Sequence, residues 1–88
     1  MKRDTYQEQA DFLKTISHPT RLYLLKMIRE GKPCVKDMQE DLKLSQPNIS
    51  RHLALMRNAG IVESSCRGNK RCYSLMDKRV EHILDVLL

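Results

Sequence analysis

The chain has 88 residues, of which 16 are Lys or Arg and 11 are Asp or Glu, giving a formal net charge of +5. That length permits one small domain with a marginal core, which points to a partner surface and oligomerisation. No apolar run approaches the roughly 18 residues of a membrane span and the polar N-terminus lacks a signal-peptide core; the 3 Cys have no framework spacing. Reduced thiols, no membrane partner and a cytoplasmic location are therefore expected.

In chain order, Thr5 to Ile16 carries Tyr6, Ala10, Leu13 and Ile16 on one stripe with Phe12 beside it, and reads as a first helix. Ser17-His18-Pro19-Thr20 breaks it, because the residue before a proline disfavours helix while Pro19 suits a helix start. A second helix is expected from about Pro19 to Glu30. Leu22, Leu24, Leu25 and Ile28 make it the central core element, and Gly31 closes it. Val35, Met38 and Leu42 then recur at i, i+3, i+7 on a short third helix, followed by Lys43-Leu44-Ser45 as a turn, with Leu44 expected to be buried beneath it.

Ser45 is a good N-cap and Pro47 sits where a missing N–H costs little, so the fourth helix should start near Gln46. Ile49, Leu53 and Met56 put an apolar face inward, with His52 at its margin. Gln46, Pro47, Ser50, Arg51, Ala54, Arg57 and Asn58 fall on the other side. No acidic residue lies between Leu42 and Val62, unlike an ordinary surface helix with its Glu–Lys pairs. Such a face suits base edges: Gln pairs with adenine, Arg with guanine, and Ser with a base or phosphate. Two helices joined by about three residues, the second one basic, form a helix-turn-helix.

After Gly60 the pattern becomes strand. Ile61-Val62 begins one strand, Cys72 to Leu75 forms another, and Arg67-Gly68-Asn69-Lys70-Arg71 has the chemistry of a hairpin tip. Between Leu42 and Leu75 six cations face Glu63 alone, while the rest of the chain holds ten charges of each sign. All the net charge thus lies in one contiguous stretch, as expected if it meets a polyanion. Met76 to Leu88 reads as a last helix capped by Asp77. Val80, Ile83, Leu84 and Leu87 form its stripe, and Val86 and Leu88 add apolar surface outside it.

The expected fold is mainly α with a small β-hairpin: a winged helix-turn-helix of about five helices plus a two-stranded wing, one domain over 1–88. The terminal helices, about 5–17 and 77–88, would form a two-fold interface that sets two recognition helices about 34 Å apart.

This order resembles the ArsR/SmtB family of winged-helix bacterial repressors. Leu13 to Leu22, Leu44 to Leu53 and Arg57 to Val62 agree with the family locally, and Gly68 and Tyr73-Ser74-Leu75 match its wing. The resemblance implies a homodimeric repressor of an inverted-repeat operator in double-stranded DNA, released by a metal ion, metalloid or thiol-reactive signal. Base contacts would come from Gln46, Pro47, Asn48, Ser50 and Arg51, and phosphate contacts from Arg67, Lys70 and Arg71.

The effector is where the sequence departs from the family. Arsenic and cadmium sensors carry a Cys-Val-Cys box that here reads Cys34-Val35-Lys36, and the later family Cys position is Gln39. A soft metalloid wants about three thiolates, so that site is complete only if Cys66 or Cys72 substitutes. The zinc-type site is also broken, with Arg79 where Asp77 should be followed by a His. His82 and Asp85 could hold half a site. No cofactor is therefore expected, and the alternative is a metal- or metalloid-responsive repressor using Cys34 with Cys66 or Cys72.

The thiols themselves remain. Cys34 lies at a helix start between Lys32 and Lys36, which would favour its thiolate, although an inert core role fits equally well. Cys66 and Cys72 flank the wing tip: an odd loop would pair them across the strands, whereas a two-residue Gly68-Asn69 loop would put them on opposite faces. His18 is expected to cap or pack, and His52 to be a hydrogen-bonded structural residue. No catalytic constellation appears, which argues against an enzyme. A protein-interaction module is the remaining alternative, but it would have no reason to gather the whole net charge on one helix and one hairpin.

Overall fold

The computed structural model describes residues 3–88, as five helices and one hairpin: α1 (Arg3–Ile16), α2 (Pro19–Arg29), α3 (Val35–Leu42), α4 (Gln46–Asn58), β1 (Val62–Arg67), β2 (Lys70–Leu75) and α5 (Lys78–Leu87). This is the expected winged helix-turn-helix.

Local chemistry sets the helix ends. His18 Nδ1 accepts from the Thr20 N–H at 3.1 Å and Pro19 opens α2. Glu30, expected inside that helix, is its C-cap, and Gly31 turns the chain at φ 90°. Lys43 closes α3 in the left-handed region (φ 54°), its N–H donating to the Gln39 carbonyl at 2.8 Å. Ser45 Oγ accepts from the Asn48 N–H to start α4, and Asp77 does the same for Arg79 at α5. The fifth helix therefore begins at Lys78, two residues later than the periodicity suggested.

Leu24, Leu25, Met38, Ile49, Leu53, Met56, Ile61 and Leu84 are fully buried and join four helices to the root of the wing. On α1, Phe12 and Ile16 are buried while Tyr6 and Leu13 are exposed, which corrects the expected packing stripe. The helix leans on its Phe12–Ile16 edge, with the Arg79 guanidinium 3.8 Å above the Phe12 ring. On α5, Val80 and Leu84 are buried and Ile83 is partly so; Leu87 faces outward with Val86 and Leu88. Leu44 is partly buried rather than buried.

The wing is a two-stranded antiparallel sheet with Val62 opposite Leu75 and Arg67 opposite Lys70, leaving Gly68-Asn69 as a two-residue turn. Gly68 sits at φ 64°, the positive φ that such a turn demands. The Tyr73 N–H donates to the Pro33 carbonyl at 2.9 Å, so the link into α3 runs beside β2 and forms a single isolated bridge there, Cys34 opposite Cys72.

Candidate nucleic-acid interface

Burial of Ile49, Leu53 and Met56 fixes the rotation of α4, and Gln46, Pro47, Asn48 and Arg51 are consequently exposed, with Ser50 half-buried between them. Two side-chain bonds run along this face. Gln46 Nε2 donates to Ser50 Oγ at 2.7 Å, and Arg51 Nη2 donates to Asn48 Oδ1 at 3.3 Å. Each pair holds, one turn apart on the helix, polar groups of the types able to pair with base edges.

A polar joint behind α4 fixes it to the body. Arg21 Nε donates to His52 Nδ1 at 3.2 Å and its Nη1 donates to the Thr15 carbonyl at 2.8 Å, so one guanidinium ties the end of α1 to the recognition helix. The His18 and His52 ring centroids are 4.7 Å apart. Burial first, then the electrostatic influence of His18, Arg21 and Arg51 around it, holds the His52 imidazole below the usual range. Both histidines have the structural roles expected of them.

The structure separates the three wing cations. Arg71 faces Gln46, Ser50, Ala54 and Arg57 across a cleft of about 270 Å³ floored by Tyr73. Lys70 and Arg71 line a second cleft, of about 250 Å³, with Lys36, Gln39 and Gln46. Arg67 lines neither: its cleft, with Arg29, Gly31, Pro33 and Glu81, lies on the α2–α5 side of the wing. In the sequence Lys36 and Gln39 stand out only as departures from the Cys box; each directly follows a buried residue of α3, Val35 and Met38, with Lys36 exposed and Gln39 half-buried.

Of the two wing registers left open by the sequence, the structure has the two-residue loop, and the cysteines pair elsewhere. Cys34 and Cys72 form a disulfide across 38 residues of sequence. Cys66 stays a free, exposed thiol opposite Arg71. The two-residue turn sets this parity, putting Cys66 and Cys72 on opposite faces so that they cannot meet. A three-thiolate site joining Cys34, Cys66 and Cys72 is not assembled. Among the described residues no three of His, Cys, Asp and Glu come together as a metal cluster. Asp85 is engaged by Arg29 Nη1 at 2.7 Å rather than poised with His82.

The model of the bacterial regulatory protein family arsR matches residues 18–64, from the cap of α2 into β1. An uncharacterized HTH-type transcriptional regulator of Methanocaldococcus jannaschii is 36% identical over 96% of both chains. Among solved structures, the transcriptional repressor BigR of Xylella fastidiosa superposes with a TM-score of 0.82 at 31% identity, covering 99% of this chain and 93% of its own. Reduced HlyU of Vibrio cholerae gives a TM-score of 0.88 at 26% identity, over 96% of this chain and 88% of its own.

Proposed function

Since the chain belongs to the ArsR family of bacterial regulatory proteins, it is a DNA-binding transcriptional regulator, and we propose that it acts as a homodimeric repressor released by an oxidative or thiol-reactive signal. The observation that carries the DNA-binding surface is the alignment of the α4 polar face with Lys70 and Arg71 of the wing across shared clefts. Gln46, Asn48, Ser50 and Arg51 would read bases, with Pro47 shaping the approach, and the wing cations would meet phosphates. Arg67, which lines the cleft with Arg29 and Glu81 rather than either cleft shared with α4, would meet the backbone more weakly.

The second copy would cover Tyr6, Leu13, Val86, Leu87 and Leu88, which leave apolar surface exposed on the terminal helices. A two-fold pairing there would present two recognition helices to an inverted repeat.

The Cys34–Cys72 pair supports a redox signal. A chain at work on DNA sits in the reducing interior of a cell, so the resting repressor would hold two thiols. Exchange with a small disulfide would convert them: one cysteine thiolate attacks, expelling the first small thiol, and the other then attacks the mixed disulfide, expelling the second. Two cysteine thiols and one small disulfide thus give one protein disulfide and two small thiols. Cys34, 8% exposed against 1% for Cys72, is the more accessible first nucleophile. A metalloid signal would need a third thiolate beside this pair, and Cys66 faces away.

The test is affinity for DNA from the protein's own promoter at fixed salt, with thiols reduced and then mildly oxidised. Affinity is expected to fall on oxidation, to recover with reductant, and to become indifferent to both when Cys34 and Cys72 are replaced by Ser. Unchanged tight binding on oxidation would remove the redox signal and leave the repressor. No binding above the non-specific level in either state would favour the interaction-module reading.

A further inference from the structure

We propose that the cleft between α3 and the wing is a clamp for one backbone phosphate of the operator, closed by Lys36 together with Lys70 and Arg71 and gated by the Cys34–Cys72 pair. This rests on the DNA-binding reading above and adds a residue, Lys36, and a mechanism of release.

The cleft has a volume of about 250 Å³, and its cations come from two elements: Lys36 from the first turn of α3, and Lys70 and Arg71 from the start of β2. The ion pairs among the described residues, Arg29–Asp85 and Arg79–Asp77, involve none of them. Cations gathered around a cleft repel one another and attract a compact anion with several acceptor oxygens, for which Arg and Lys are the common ligands. Gln46, the first residue of the recognition helix, stands on the same rim. A DNA strand whose bases meet Gln46 and Ser50 would pass its backbone over this cleft, which favours a phosphate of DNA over a free one.

The two walls are joined at one place. Cys34 lies two residues before Lys36, and Cys72 directly follows Arg71, so the disulfide links the α3 wall to the wing wall. The bond fixes the start of α3 to β2 beside the cleft. Reduction by two small thiols, which leave joined as one small disulfide, gives two cysteine thiols and frees the walls to part and admit the phosphate.

Operator affinity measured against salt concentration tests this for the wild type, Lys36→Gln and Lys36→Arg, each reduced with dithiothreitol and oxidised with a small disulfide. One lost phosphate contact changes the slope of log affinity against log salt by about 0.9. Reduced Lys36→Gln is expected to be shallower than reduced wild type by about that amount, with Lys36→Arg retaining the wild-type slope. Oxidised wild type is expected to match reduced Lys36→Gln, and oxidation should leave the slope of Lys36→Gln unchanged. A wild-type slope in reduced Lys36→Gln would overturn the clamp. Affinity that falls on oxidation at constant slope would overturn the gating but leave the redox repressor standing. Wild type without specific binding in either state would overturn the clamp together with the DNA-binding reading.

Discussion

Arg21 Nε and His52 Nδ1 meet at 3.2 Å, and this bond joins the second helix to α4, the proposed DNA-reading helix. It exists only while Nδ1 of His52 carries no proton, because an imidazolium has two N–H donors and nothing to offer a guanidinium. The fold therefore favours neutral His52, in line with its lowered pKa.

The sign of the pH dependence follows. The unfolded chain takes up the proton in the ordinary imidazole range, near pH 6.5, while the folded chain resists it. Stability from this joint is complete above that range and is lost as pH falls below it, through the lowered folded value. Thermal unfolding followed from pH 7.5 to 5 should show the decline, and His52→Asn, whose amide oxygen can accept from Arg21 without titrating, should flatten it. An equal decline in the variant would place the pH sensitivity elsewhere.

Arg51→Ala should cost about 1–3 kcal/mol of operator affinity and relax preference at one base step. Competition binding with operators varied one base pair at a time measures both effects. A uniform loss across all sequences would instead make Arg51 a phosphate ligand.

The wing cations should behave unequally. Lys70→Ala should weaken all sequences evenly and lower the salt slope by about one, whereas Arg67→Ala, from the cleft shared with Arg29 and Glu81, should change the slope little. Equal losses from the two substitutions would show that the DNA backbone reaches both strands of the wing.

Burial decides which residue of α5 can report on self-association. Leu84 has no exposed surface within one chain, so Leu84→Ala should cost about 2–5 kcal/mol in chemical denaturation through the cavity it leaves. Val86 is 84% exposed, and Val86→Glu should leave the folded chain intact while converting a sedimenting dimer to monomer. A Val86→Glu protein that still sediments as a dimer would exclude this interface.

The architecture was legible because its signals are local. Ser45 and Pro47 announce the start of α4, and Ile49, Leu53 and Met56 fix which face is left for DNA. Less local features escaped. Cys34 meets Cys72 because a two-residue turn sets the parity of the hairpin and the Pro33 carbonyl accepts from Tyr73, a pairing across distant sequence that periodicity does not carry. Tyr6 and Leu13 match a helical stripe as well as Phe12 and Ile16 do, and only the placement of Arg79 over Phe12 shows which edge of α1 packs. Arg67 is a cation at a hairpin tip directly opposite Lys70, and only the packed neighbours of each, Arg29 and Glu81 for one and Lys36 and Gln46 for the other, distinguish them.

The same hairpin parity leaves Cys66 in a useful place. With Cys34 and Cys72 joined to each other, the single reactive sulfur is exposed on β1, beside the turn and opposite Arg71. A maleimide fluorophore or spin label would attach there alone while the other two sulfurs are protected by their own bond, and after that bond is reduced the probe, held by a thioether, stays on the wing to signal docking onto a duplex.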